Sequence, residues 1–428
     1  MGCGASAPQE PTALDPEERA AAEGTQEGGT SGEDQLATAP RTGRTRQRRL
    51  SHVGDGVEGE KDVVETREPK GELVLDTQTR TRQRRLSFFS TLDGMATDGM
   101  IAGEELAAAE ARAAEQAEQA EEPAPSPVST LCAYISKAGQ EPGYKKTNQD
   151  NCCVRRVFRT KGEALFGCFD GHGPNGHHVS GFIKERLPLE LLRHPTLVSD
   201  VDQSLVEGFL RTDEALRASR VDVEFSGSTV VLSHLRGTTL TTAWVGDSRA
   251  VLGREIEGRM QTIDLSDDHK PQNEPERERI LRSNGRVEQL VDENGEQVGP
   301  FRVWLRYAWI PGLAMSRALG DTLAHRVGVS SEPEIRKHEL TPDDRFIILA
   351  SDGLWEFVSS EEAVMITAAC NTPEEATMKL VDVAHERWMV EEEGVVDDIT
   401  VVIVAWVWTQ SAPAADDSAP VSVSAAEI

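Results

Sequence analysis

Cysteine is scarce. Six are spread over 428 residues, with no C-x-x-C pair and no Cys/His spacing that suits zinc. A disulfide framework is not expected at this density, so the sequence reads as that of a chain in the reducing cytoplasm. No apolar run reaches the roughly 18 residues a membrane-spanning helix needs, and the N-terminal segment lacks the apolar core of a signal peptide. Positive charge is also short: 45 Lys and Arg stand against 73 Asp and Glu, a formal net charge of −28. So acidic a chain repels a phosphate backbone, which argues against nucleic acid as a partner.

What is present falls into three parts. Residues 1–128 are rich in Ala, Glu, Gly, Thr and Gln and poor in aromatic and branched apolar side chains. Such a segment buries too little apolar surface to offset its ordering entropy, and a disordered tail is expected. Within it, the Ala/Glu-rich run 103–122 reads as a solvated, fraying helix, because it has no broad apolar stripe. From residue 129 to 409, short apolar runs alternate with helical patterns. Strands are expected at 152–158, 164–169, 228–235, 240–245, 346–350 and 399–408. Helices are expected at 176–192, 203–219, 276–283, 360–370 and 374–389. Strands and helices without strict alternation indicate an α+β layered domain. Residues 410–428 are small and polar, and a second disordered tail is expected there.

The chemistry lies in the placement of acidic residues. Asp170 follows Ala-Leu-Phe-Gly-Cys-Phe, Asp247 follows Ala-Trp-Val-Gly, and Asp352 comes just after Phe-Ile-Ile-Leu-Ala. Asp397 and Asp398 precede Ile-Thr-Val-Val-Ile-Val. In antiparallel neighbours the end of one strand lies beside the start of the next, so these carboxylates converge on one edge. Clustered carboxylates repel, and each pKa rises unless a cation compensates. Oxygen ligands without cysteine suit Mg²⁺ or Mn²⁺. The glycine after Asp170 and the one after Asp352 let the backbone turn and approach an ion. A lone Asp-Gly is usually just a turn; several at strand ends favour a metal site.

The order of motifs then resembles that of the protein phosphatase 2C family of metal-dependent protein phosphatases. Thr-Asn-Gln-Asp (147–150), Phe-Asp-Gly-His-Gly (169–173), Gly-Ser-Thr-Val (227–230) and Trp-Val-Gly-Asp-Ser-Arg-Ala (244–250) come first. Asp-His-Lys-Pro (268–271), Met-Ser-Arg-Ala-Leu-Gly-Asp (315–321), Ser-Asp-Gly-Leu-Trp-Glu (351–356) and Asp-Asp-Ile-Thr (397–400) follow. The resemblance covers residues 130–408. It implies a four-layer α-β-β-α sandwich with two central, mostly antiparallel sheets. It also implies a monomer that hydrolyses phosphoserine and phosphothreonine on phosphorylated proteins with two Mg²⁺ or Mn²⁺ ions.

Carried over residue by residue, the resemblance makes Asp170 the bridge between the ions. The carbonyl of Gly171, Asp352 and Asp397 supply further ligands. A hydroxide held between the ions attacks phosphorus in line, and His172 protonates the departing oxygen. Asp150 orients the metal-bound water. Gln149 stands where many members have Glu. Lys145 stands where members often have a phosphate-binding Arg, with Lys146 as an adjacent substitute. Asp247, with Asp352 and Glu356, resembles a third and weaker metal site. Arg249, Arg317 and Asp321 read as structural salt-bridge residues. Trp309 and the stretch 301–313 read as a surface flap near substrate or as core packing. The alternative is a pseudophosphatase, the same fold used as a scaffold or binding module. Such a chain should have lost Asp170, Asp352 or Asp397, and all three are present.

The chain starts Met-Gly-Cys-Gly-Ala-Ser. Gly2 with Ser6 fits the myristoylation pattern, and Cys3 is placed for palmitoylation. Two lipids would hold the protein on the cytoplasmic face of a membrane. The octamer RTRQRRLS occurs twice, at 44–51 and 80–87. Its arginines suit anionic lipid, and Ser51 and Ser87 resemble targets of a basophilic kinase, whose phosphate would cancel that charge. A basic linker or a nuclear import signal is the competing reading.

Overall fold

The computed structural model describes residues 127–143 and 146–408, with Glu105, Ala108, Ala109, Ala111 and Arg112. Those five positions are helical, and Glu105 meets Arg193 at 3.2 Å. Gly2, Cys3, Ser51, Ser87 and Lys145 lie outside the described residues, as does most of both expected tails.

Two five-stranded sheets form the centre. In the first, β1 (Val128–Lys137) is an edge strand beside β16 (Ile399–Trp408). β15 (Asp344–Ala350), β8 (Arg249–Ile256) and β9 (Arg259–Asp264) follow in order. The second runs β14 (Glu334–Glu339), β7 (Thr239–Val245), β6 (Val230–Arg236), β3 (Glu163–Phe169) and β2 (Asn151–Arg155). Every neighbouring pair in both sheets is antiparallel.

Side-chain alternation explains the layers. Along β3, Phe166 and Cys168 face the other sheet, where Ile347, Leu349 and Val402 pack on the same core. Leu165 and Phe169 point the opposite way, against α1 (Gly176–Arg193) and α2 (Val201–Ala218) through Val179, Ile183 and Leu205. Along β16, Val402, Val404 and Trp406 fill the space between the sheets. Val401 and Ile403 meet Leu380, Ala384 and Trp388 of α7 (Pro373–Glu391), beside α5 (Asp352–Trp355) and α6 (Ser360–Ala368). Both faces of β3 and β16 are therefore covered, which is why these strands read as unbroken apolar runs rather than alternating ones. Each fully buried Leu, Val or Phe here contributes about 1.5–3 kcal/mol. The result is the α-β-β-α sandwich and the α+β class read from the sequence.

Two smaller sheets are added to this frame. β10 (Gly285–Val291), β11 (Gln297–Leu305) and β12 (Pro311–Leu313) form one, backed by α3 (Glu274–Arg282) through Ile280, Val287 and Val303. Its aromatics divide the two readings of 301–313 between them. Trp304 is buried and donates its indole N–H to Glu288 O at 2.9 Å, whereas Trp309 lies on the surface, edge-on to Trp304 at 5.1 Å, with Arg286 over its other side at 4.6 Å. β4 (Gly171–His172), β5 (Gly227–Ser228) and β13 (Leu319–Gly320), which leads into the short helix α4 (Thr322–His325), form the other. This last sheet sits at the end of the sandwich where the acidic residues gather.

Candidate active site

Strand direction brings the carboxylates together. β3 and β7 are each antiparallel to β6, so both run the same way and end at the same side. Asp170 follows the end of β3 and Asp247 the end of β7, while Asp150 immediately precedes β2, whose Asn151 pairs with Phe169. In the facing sheet Ala350 pairs with Val401, so Asp352 lies beside the start of β16, next to Asp397 and Asp398. Asp170 feels the whole group: burial and the charges of Asp150, Asp352, Asp397 and Asp247 hold its carboxyl well above the usual carboxylate range.

The backbone around Asp170 is fixed by the Gly-Ser-Thr segment. Asp170 N–H donates to Thr229 Oγ1 at 3.1 Å, and Thr229 N–H returns a bond to Asp170 O at 2.9 Å. Ser248 Oγ holds the same threonine hydroxyl at 2.6 Å. Gly171 is enclosed so tightly that a Cβ would stand 2.3 Å from Gly176 O and 2.5 Å from Gln149 O. Only glycine fits there. Gln149 also has a role that Glu could not fill, because its amide donates to Gly173 O at 2.7 Å.

Asp150 is buried, and among the described residues neither carboxylate oxygen has a well-formed hydrogen bond. Burial and the Asp398 charge push its pKa well up, and the hydroxyls of Ser351 and Thr400 only partly offset them. His172 is paired with Asp321, Nε2 to Oδ2, at 2.6 Å. Burial alone would lower the His172 pKa; the Asp321 charge and hydrogen bond outweigh it and raise it. Asp321, expected to be only a salt-bridge residue, thus touches the site. The other two residues read that way do form ion pairs, with partners outside the carboxylate cluster. Arg249 grips Asp268 with two bonds of 2.9 Å, and Arg317 meets Glu276 at 2.8 Å and Glu334 at 2.7 Å.

Two lysines supply the positive charge. Lys146 stands beside Lys145, the residue at the position where relatives often have a phosphate-binding arginine. Its side chain turns inward instead, 5% exposed, onto Asp397, with Asp398 Oδ2 at 3.4 Å. Asp398 in turn accepts N–H bonds from Gly139 at 2.7 Å and Gln149 at 2.9 Å, tying the loop before β2 to the loop before β16. Lys270 Nζ meets Asp247 Oδ2 at 2.5 Å. The third-site reading is weakened by this pairing and by Glu356, which is exposed at the end of α5.

Among the described residues, no three Asp, Glu, His or Cys side chains already stand as a coordination shell. The donor set still fits hard divalent ions. It is all oxygen, Asp150 holds two buried acceptors with no well-formed hydrogen bond among the described residues, and Asp170 carries repulsion from four other carboxylates. Lys146, Lys270, Asp398 and Asp321 were not assigned these contacts from the sequence. Lys270 lies within the Asp-His-Lys-Pro motif and Asp398 beside Asp397, which were the available signals.

A layered α+β domain with convergent carboxylates at one edge suits a divalent-metal enzyme, and comparison with known proteins makes it specific. The profile of the protein phosphatase 2C family matches residues 134–391. Probable protein phosphatase 2C 48 of Oryza sativa is 39% identical over 300 residues, covering 64% of this chain and 83% of the relative. Probable protein phosphatase 2C 35 of Arabidopsis thaliana is 34% identical over 297 residues, covering 65% and 85%. The crystal structure of the serine-threonine phosphatase 2C of Toxoplasma gondii superposes with a TM-score of 0.56 at 25% identity, covering 64% of this chain and 94% of that one. The chain belongs to the protein phosphatase 2C family and is a protein-serine/threonine phosphatase. The family is metal-dependent, using Mg²⁺ or Mn²⁺, and acts on phosphorylated proteins.

Proposed function

We propose that Asp170, the Gly171 carbonyl, Asp352 and Asp397 hold two divalent ions that serve the hydrolysis of phosphoserine and phosphothreonine. The observation that carries this is Asp170, at the centre of four carboxylates whose mutual repulsion a multivalent cation relieves. Bound there, the ions neutralise phosphoryl oxygens and activate water. Asp150, buried beside the cluster, orients that water. His172 delivers a proton to the departing serine or threonine oxygen. Phosphopeptide turnover by the whole chain should require Mn²⁺ or Mg²⁺ and stop with EDTA. Absence of turnover with metal present, in the whole chain and without residues 1–128, would favour the scaffold reading.

We also propose that Gly2 and Cys3 are acylated and hold the enzyme at the cytoplasmic face of a membrane. The support is the Met-Gly-Cys-Gly-Ala-Ser start, with the two RTRQRRLS copies as a charge reserve that phosphorylation of Ser51 and Ser87 would cancel. Gly2→Ala should move the protein from the membrane to the soluble fraction of a cell lysate. An unchanged distribution would refute the anchor.

A further inference from the structure

We infer that Asp321 is the positioning residue for His172, fixing the imidazole that hands a proton to the leaving hydroxyl. This rests on the general-acid reading of His172. The geometry comes from the three-stranded sheet. His172 in β4 pairs with Gly227 in β5, and Gly227 pairs with Gly320 in β13. Asp321, the next residue, therefore stands across β5 from His172, and its carboxylate spans the gap to Nε2 at 2.6 Å. The two residues are 149 positions apart in sequence. The bridge exists because residue 227 has no side chain: a Cβ there would stand 2.0 Å from Asp321 Oδ2.

Asp321 gives up its local uses to make this contact. Its backbone is left-handed, with φ 40° and ψ 47°, a conformation that most residues with a Cβ avoid and that Asp adopts more readily than most. It occupies the N-cap of α4, where Asp ordinarily bonds the first free N–H groups, yet its side chain makes no capping bond. The main chain around it is pinned: Asp321 N–H donates to Ser226 O at 2.9 Å, Thr322 N–H to Val223 O at 2.9 Å, and Gly320 N–H to Asp213 Oδ1 at 2.8 Å. The carboxylate is buried, so its bond to the ring is shielded from water and strong. On the far side of the ring, Nδ1 is buried and has no hydrogen-bond partner among the described residues. One nitrogen is anchored and the other is left for chemistry.

In the charged ring Nε2–H is held by Asp321, which leaves Nδ1–H as the ring proton available to the leaving oxygen. As water bonds to phosphorus and the bond from phosphorus to the serine or threonine oxygen breaks, Nδ1 gives that oxygen its proton; both protons of the water leave on the released phosphate as H2PO4−, and the ring takes a proton back from solvent before the next turnover. The ring is left neutral with its remaining proton on Nε2. Asp321 itself never exchanges a proton, and its part is to hold the ring's direction, as a carboxylate does for a catalytic imidazole elsewhere.

The test compares leaving groups, using the full chain with Mn²⁺. A phosphothreonine peptide needs a proton on its leaving oxygen; p-nitrophenyl phosphate releases a stable phenolate without one. Asp321→Asn should lose about a hundredfold in kcat on the peptide, with KM unchanged, but less than about threefold on p-nitrophenyl phosphate. Asp321→Gly, which suits the left-handed backbone and so favours folding, should behave alike. His172→Gln should show the same selective loss, and the double variant no further loss. Equal losses on both substrates, or no loss in the Asp321 variants while His172→Gln is selective, would overturn the role of Asp321 alone. No selective loss in His172→Gln would overturn the general-acid reading, and this inference with it.

Discussion

Asp170→Asn is expected to abolish phosphopeptide hydrolysis and at the same time make the metal-free protein harder to melt. The two effects have one cause. Burial and four neighbouring carboxylates raise the Asp170 pKa well above its ordinary value. A carboxyl whose pKa is higher folded than unfolded takes up protons on folding, so stability is lost as pH rises above the ordinary carboxylate range. At neutral pH, above the ordinary carboxylate range, this shift therefore works against the fold, and a neutral amide of the same shape removes it. The metal-free melting temperature should rise by about 2–4 °C for each kcal/mol relieved. The gain should shrink as pH falls towards the ordinary carboxylate range, where the parent also becomes neutral there. Activity should fall at least about a thousandfold, because the lost ligand removes several kcal/mol of charge stabilisation. Mn²⁺ should raise the variant's melting temperature less than the parent's. A variant that melts earlier without metal, or keeps metal-dependent turnover, would contradict the assignment. Function and stability oppose each other at this position, as expected where a site is built from like charges.

Much of this site was legible because its signals are local. Each carboxylate abuts an apolar run, and apolar runs mark strands, so their gathering at one edge followed from antiparallel pairing alone. The strand expected at 399–408 is β16 to the residue, since both of its faces are buried. Other strands escaped notice. β1 reads Val-Ser-Thr-Leu-Cys-Ala-Tyr-Ile-Ser-Lys, an edge strand with Leu131 and Tyr134 exposed, so its pattern is blurred. β8 and β9 carry charged residues and face solvent at their far ends, and β14 is almost wholly polar. The strand expected at 152–158 stops at Arg155, because the chain turns at Phe158, whose N–H bonds back to Glu163 O at 2.8 Å. The contacts that went unassigned share another feature: their partners are remote. Lys146 finds Asp397 across 251 residues and Asp321 finds His172 across 149, and no periodicity encodes such contacts. Two adjacent lysines before a strand look alike in sequence; only the fold distinguishes the one that turns inward.

Lys146→Met is expected to destabilise the metal-free protein and to tighten its grip on divalent ions. Burial opposes the Lys146 charge, but Asp397 and Asp398 more than compensate and hold its pKa well above the ordinary lysine value. The ammonium is thus a tethered cation sitting on a carboxylate that we assign to the metal. Breaking one side of a buried ion pair leaves the other uncompensated, a loss of about 3–5 kcal/mol. Methionine keeps much of the volume, so the loss should be electrostatic rather than a packing defect. A divalent ion at Asp397 would replace the missing charge. In the parent it must first displace Lys146; in the variant it need not. Calorimetric titration should therefore show Mn²⁺ binding at least about tenfold tighter to Lys146→Met, equivalent to about 1.4 kcal/mol. The rise in melting temperature at saturating Mn²⁺ should be larger than for the parent, since a ligand stabilises by its free energy of binding to the folded state. Equal affinities would mean that Lys146 moves wholly onto Asp398 when the ion arrives, anchored there by the N–H groups of Gly139 and Gln149, and does not compete for Asp397. Weaker binding in the variant would mean that Lys146 assists the ion by orienting Asp397, the reverse of the competition argued here.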